Sequence, residues 1–318
     1  MNVFTEVYLK GLQELNIPYE FDDHEYLKFI LGGKTISVYR AAISLNSDVA
    51  ALINNSKFLS YKILTSAGIT MPLSIRLKDS DILPDLTQFP GTKVVVKPEL
   101  GYGGKAVEII DKNKLEIYWN SIKDTAKTWI LQEYISGKEY RVIIIGSELV
   151  SVFEKQDIFL TTNGITTLES QIHLLYSQSG LLQSVVKHIL PKIFSYVETQ
   201  GYALQEIPPR NTVIHLSRLR NESQGSLWKK IALDCIPNSH KTWLLSAHFA
   251  STLIVNGLDV MFEKGIDNLE AQKISLIECN ARPGLTQPID KDSGHEKKVI
   301  LMLQKYVHSI TDLEPRSK

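Results

Sequence analysis

The sequence predicts an α+β protein of two lobes behind a short N-terminal segment. Three observations predict it. Short β-rich runs alternate with stretches of helical period, a lysine-ended strand turns through glycines into a second strand, and two further strands close the pattern near residue 280. The divisions fall at 1–56 for the opening segment, 57–131 for a small lobe and 132–318 for a large lobe.

In the opening segment, apolar residues from Val3 to Leu15 recur at helical spacing. Leu27 to Ile43 reads as strand material around Gly32-Gly33, and Val49 to Ile53 as helix, without a complete core of their own. A helix begins at Lys57 and stops near Gly68, with Pro72 beyond. The run Lys93 to Pro98 is a strand. It passes through Gly101-Tyr-Gly103-Gly104 to a second strand, Ala106 to Ile110, so the two form a hairpin-like flap. A helix from Leu115 to Lys123 and a strand from Trp129 to Tyr134 follow.

The large lobe opens with strands Tyr140 to Gly146 and Glu148 to Phe153, turned at Gly146-Ser147. A helix over Leu182 to Tyr196 precedes strands near Ala203 and over Val213 to Leu216. Lys241 to Val255 reads as helix, and Leu258 to Glu263 and Ile274 to Asn280 as the closing strands. No repeat or low-complexity tract interrupts the pattern.

Composition narrows the function classes. Thirty-five basic residues balance thirty-five acidic ones, so no overall field draws the chain to nucleic acid or an anionic membrane. No run approaches the ~20 apolar residues that span a bilayer, and the N-terminus lacks a signal-peptide core. Two cysteines, Cys235 and Cys279, lack metal-site spacing and fit a reducing, cytoplasmic setting.

Three clusters carry chemistry. Lys97 ends a strand before the glycine-rich turn, where free backbone N–H groups can approach a polyphosphate; alone, the same residues make a flexible surface hairpin. Glu139 and Arg141 are two apart on a strand and share a face, as a binding pair or a plain surface ion pair. Glu278 and Asn280 likewise share a face, with Asp259 on the neighbouring strand and Cys279 turned away. Two carboxylates and an amide oxygen are hard donors suited to Mg²⁺. The scattered histidines carry no site, and the tryptophans read as packing, with substrate stacking an alternative for Trp228.

Six blocks occur in order: SKFLSYKILTSAGITMP, VVVKPELGYGGKAVEI, LQEYISGKEYRVIII, RLRNESQGS, NGLDVMF and IECNARPGL. In this series residues 57–290 resemble the ATP-grasp superfamily, in the branch holding cyanophycin synthetase and the ligase module of bifunctional glutathione synthetase. The resemblance implies two α+β lobes clamping ATP, with Mg²⁺ as the metal. It implies that Lys57, Lys97 and the flap glycines Gly101, Gly103 and Gly104 meet the phosphates. Gln132, Glu133, Tyr134 and Ile135 match the adenine hinge, where the family usually has an acid at 132, and Glu139 matches the ribose-binding acid. Arg141 matches an arginine near the transferred phosphate, and Lys155 falls where the branch has another basic residue. Asn221, with Arg218 nearby, matches an asparagine in a loop written N-x-S-x-G, and Asp259, Glu278 and Asn280 match the metal ligands.

The reaction implied is ATP-dependent ligation of a carboxylate to an amine through an acyl phosphate, on an amino acid or peptide. A kinase on the same fold and a non-catalytic nucleotide-binding module are the alternatives. The segments after Lys155 and Gly225 depart from the family pattern, so the substrate is not carried over. The short opening segment leads to the expectation that a second copy or a partner protein completes the site.

Overall fold

The structure, a computed structural model, describes residues 3–78, 81–101, 104, 106–123, 127–179, 183–217, 228–285 and 294–312. The chain forms two compact units, each assembled from separated stretches. The first holds Met1–Ser44, Ile145–Ile231 and Gly284–Lys318, and the second Leu45–Ile144 and Ala232–Pro283. These units run across the divisions at 56/57 and 131/132, because contacts join distant stretches that the local pattern keeps apart.

In chain order, helix α1 (Val3–Glu14) leads into β1 (Tyr19–Phe21), β2 (Tyr26–Leu31), β3 (Lys34–Tyr39) and β4 (Ala42–Ile43). The second unit begins with helices α2 (Asp48–Asn55) and α3 (Lys57–Ser66). Strands β5 (Ser74–Leu77), β6 (Lys93–Pro98) and β7 (Glu108–Asp111), helix α4 (Leu115–Ile122), and strands β8 (Trp129–Glu133) and β9 (Lys138–Ile145) follow. Back in the first unit come β10 (Glu148–Lys155), β11 (Phe159–Thr161), α5 (Leu168–Ser177), α6 (Gln183–Thr199), β12 (Val213–His215) and β13 (Trp228–Ile231). Helix α7 (Asn238–Ala250) and strands β14 (Val255–Phe262) and β15 (Ile274–Asn280) complete the second unit, and α8 (His295–Thr311) the first.

In the first unit β1 to β4 form an antiparallel meander whose β2–β3 turn uses Gly32 and Gly33 at positive φ. Alternation in β2 buries Leu27, Phe29 and Leu31. Helices α1 and α8 cross at Gly11, where a Cβ would lie 2.3 Å from the Glu296 carbonyl oxygen. The opening strands thus find their core with a helix almost 300 residues away, which is why the segment lacks one by itself. The two-stranded antiparallel sheet β11–β12 and helices α5 and α6 enclose another cluster around Ile172, Tyr176, Ile193 and Ile214. Residues near Ala203 are turn, not strand, with the Glu206 N–H donating to the Ala203 carbonyl.

The second unit contains the antiparallel sheet β5-β8-β6-β7. Its core holds Val94, Val96, Leu131, Leu115 and Trp119. β6 and β7 pair from Lys93↔Asp111 to Val96↔Glu108, as the predicted hairpin requires. The return strand starts later than Ala106 because Ala106 itself is left-handed, at φ 56°. Beyond that sheet, β9, β14 and β15 lie side by side. Helix α7 stops at Ala250 instead of continuing to Val255, since Thr252 turns left-handed at φ 59° and Val255 joins β14.

Asn46 ties the start of this unit to the end of its site strands. Its amide donates to the carbonyls of Val255 (2.8 Å) and Ala281 (2.9 Å) and accepts from the N–H groups of Ile254 and Val255. Removing an amide that satisfies four backbone groups leaves them unpaired. Asn46→Ala is expected to lower stability by about 1–3 kcal/mol, read as a shift of the urea midpoint at constant m.

Candidate active site

The centre of the site is the ladder between β14 and β15. Asp259 sits directly opposite Glu278, and the register then skips Ile277, so that Val260 faces Leu276. This bulge resets the alternation and places Glu278 on the same face as Asp259. Like charges directly opposite each other repel, and nearby cations offset that repulsion.

Three cations from other elements of the unit answer that charge. Arg141 on β9 grips Asp259 with two bonds, Nε to Oδ1 at 2.6 Å and Nη2 to Oδ2 at 3.0 Å. Gly257 makes room for it, since a Cβ there would lie 3.2 Å from Arg141 Nη1 and 2.8 Å from Pro283 Cβ. Lys97 and Lys57 act on Glu278 from β6 and the start of α3. The Glu278 carboxyl is nonetheless held above its ordinary range, first by burial and then by the Asp259 charge, with both lysines pulling the other way. The Asn280 amide donates to the Gly257 carbonyl at 3.0 Å.

Lys97 is buried, and its ammonium donates to Gln132 Oε1 at 2.9 Å. Gln132 in turn donates to Ser74 Oγ at 2.9 Å, which donates to the Pro72 carbonyl. Burial, reinforced by the Lys57 charge, brings the Lys97 pKa down to about 8, although Glu278, Glu139 and Asp259 push it back up. Lys57 is also lowered by burial and supported by Glu278 and Glu99. Its ammonium donates to the Gly101 carbonyl at 2.9 Å.

The segment at the end of β8 is fixed by Glu133. Its carboxylate accepts from the Leu73 N–H at 3.1 Å and from Lys273 at 2.7 Å. Tyr134 is exposed and Ile135 half-buried beyond it. Gly137, at φ 139°, lets the chain enter β9 against Phe262, whose carbonyl oxygen would be 2.6 Å from a Cβ.

Lys57, Lys97, Gln132, Glu139, Arg141, Asp259, Glu278 and Asn280 therefore all belong to one unit, and hydrogen bonds or direct charge interactions link them, Asn280 through its amide to Asp259 Oδ2 at 3.5 Å. Lys155 belongs to the first unit, where its ammonium lies 5.6 Å from the centre of the Trp228 ring, opposite it in the β10–β13 ladder. Trp228 is packed, with Phe153 6.4 Å away. Gly101 and Gly104 take positive φ, at 145° and 68°. Gly103, Arg218 and Asn221 lie outside the described residues. Sequence reading missed Ser56, Arg76, Glu99 and Lys273; only Ser56, a capping residue before the Lys57 helix, had a local signal.

Among the described residues no three His, Cys, Asp or Glu side chains converge as a metal cage. A cation here would rest on two carboxylates and one amide, a hard-oxygen set that leaves room for waters and phosphate oxygens.

Comparison with known proteins bears on the fold. The ATP-grasp domain model matches residues 54–195. The bifunctional glutathione synthetase of Pasteurella multocida superposes with a TM-score of 0.62 at 18% identity, over 96% of this chain and 44% of that one. The D-alanine–D-alanine ligase of Bacillus anthracis gives 0.53 at 17% identity, over 85% of this chain and 72% of that one. The fold is ATP-grasp.

Within that class the resemblance is to two kinds of protein. The glutathione biosynthesis bifunctional protein GshAB of Desulfotalea psychrophila is 24% identical over 299 residues, 90% of this chain and 38% of that protein. Cyanophycin synthetase of Trichormus variabilis is 23% identical over 250 residues, 75% and 27% respectively. The resemblance read from the six blocks is the one found, and this chain spans roughly a third of the length of these curated relatives.

Proposed function

We propose that this chain binds MgATP and uses it to join a carboxylate to an amine, on an amino acid or peptide substrate. The observation that carries the reading is the register seating Asp259 opposite Glu278 amid Arg141, Lys97 and Lys57. So costly a cluster of charge suits a ligand that is itself a polyanion with a divalent cation. The names of the relatives, synthetases and ligases, support the same class.

In this reading 57–131 and 132–318 are the two lobes. Asp259, Glu278 and Asn280 hold Mg²⁺, which when bound neutralises phosphate charge. Lys97, steadied by Gln132, and Lys57 present ammonium groups to the phosphate oxygens. The backbone from Gln132 to Ile135 receives the base, and Glu139 the ribose. Arg141 orients Asp259 and stands beside the transferred group. Lys155 and Arg218 stabilise charge on the moving phosphoryl group and the tetrahedral intermediate, and Asn221 is grouped with them.

A substrate carboxylate oxygen bonds to the γ-phosphorus as the bond to ADP breaks. The amine nitrogen then bonds to the acyl carbon, phosphate leaves with the bonding pair, and the amine proton passes to solvent. The protein positions and neutralises, as such transfers require.

The test is a screen of amino acids and dipeptides for ADP release with hydroxylamine present. The correct acid is expected to yield a hydroxamate. ADP formed with a phosphorylated alcohol and no hydroxamate would make the protein a kinase instead.

A further inference from the structure

We propose that Glu99 is a positioning residue for nucleotide capture, acting through Lys57 without touching the nucleotide. The inference rests on the proposed role of Lys57 at the phosphates. Glu99 lies where β6 hands over to the glycine-rich segment, and its side chain is buried. One carboxylate oxygen accepts from Ser56 Oγ at 2.8 Å, and the other from Arg76 Nε on β5 at 2.8 Å. Its N–H donates to the Thr128 carbonyl at 2.9 Å, and its own carbonyl receives both the backbone N–H and the ammonium of Lys57, each at 3.4 Å.

A single residue thus fastens the cap of α3, the β5 edge and the root of the flap to one another. Ser56 is the residue that caps α3, accepting from the Leu59 N–H. Lys57 is the first residue of that helix, where the helix dipole disfavours a positive charge and favours a negative one. Glu99 supplies that negative charge and helps keep Lys57 protonated against its burial. The Lys57 ammonium is left on the carbonyls of Glu99 and Gly101, at the foot of the glycine-rich segment, where an arriving phosphate can draw it over. Without the carboxylate, Ser56 and Arg76 lose their common acceptor and Lys57 loses its fixed origin.

The test is a double-mutant cycle on the full chain, with calorimetric titration of a non-hydrolysable MgATP analogue. Lys57→Met and Glu99→Gln are each expected to weaken binding by about tenfold or more, and the double variant no further than the weaker single. Thermal unfolding without nucleotide is read alongside, because a purely structural role would lower the midpoint without making the affinity losses non-additive. Ser56→Ala, which removes the Glu99 contact together with the cap bond from Leu59 and keeps the charge, should show the same non-additivity at a smaller loss and serves if Glu99→Gln does not fold. Unchanged affinity in Lys57→Met would overturn the functional reading itself. A loss in Lys57→Met joined to an additive or absent effect at Glu99 and Ser56 would overturn this inference alone.

Discussion

Glu278→Ala is expected to yield a folded protein whose ATP turnover has fallen by about 10²–10³. Glu278 faces Asp259 across the ladder, and burial and that neighbour hold its carboxyl above the ordinary range. A pKa raised by folding means that the charged form costs stability at neutral pH, so the alanine variant should melt no earlier than the parent. Turnover should collapse because the cation loses the ligand that no arginine already holds in two bonds. Asp259, already shared with Arg141, and Asn280 would be left as the cation's remaining protein ligands. Near-parental turnover at saturating Mg²⁺ would show that the metal does not sit here.

The second large effect concerns Lys97. With a pKa of about 8, its ammonium is only partly charged at mildly alkaline pH. The groups acting on it come from every side of the site: Lys57 from α3, Glu139 from β9, Asp259 from β14, Glu278 from β15 and the neutral Gln132 from β8. A bound polyphosphate favours the charged form and raises the pKa, so binding takes up a proton where the free protein has lost it. Nucleotide affinity is therefore expected to hold below pH 8 and to fall above it, by up to about tenfold per pH unit. Titration at pH 8.5 in two buffers of different ionisation enthalpy should report uptake of up to about three-quarters of a proton. Lys97→Met should abolish the uptake and weaken binding by about 10²–10³. Proton-neutral binding in the parent at that pH would remove Lys97 from the phosphates.

Much of this site is legible locally. The two-residue period of a strand puts Glu139 beside Arg141, and Glu278 beside Asn280, whatever the rest of the chain does. Lysine, proline and glycines in sequence announce a strand ending in a flap, and β6 and β7 form that hairpin. Helix α8, absent from the sequence reading, carries Val299, Ile300, Leu303 and Val307 at helical spacing, so its stripe was readable. Its partner was not, because the crossing at Gly11 joins residues almost 300 apart. The strand expected near Ala203 shows the opposite failure, where apolar residues beside a glycine served a turn over a helical core.

The sequence by itself determined the ATP-grasp order of blocks, the hairpin and the identity of the charged residues, because each rests on neighbours within a few positions. Tertiary structure alone decided what each charge faces. The skip at Ile277 brings Glu278 opposite Asp259, and β9 lying beside β14 turns Arg141 from a same-face neighbour of Glu139 into the partner of Asp259, 118 residues on. Glu99 came to matter only when Ser56, Arg76 and Lys57 met at its carboxylate and carbonyl. Electrostatic energy depends on distance in space, and spacing along the chain leaves that distance open until the strands have paired.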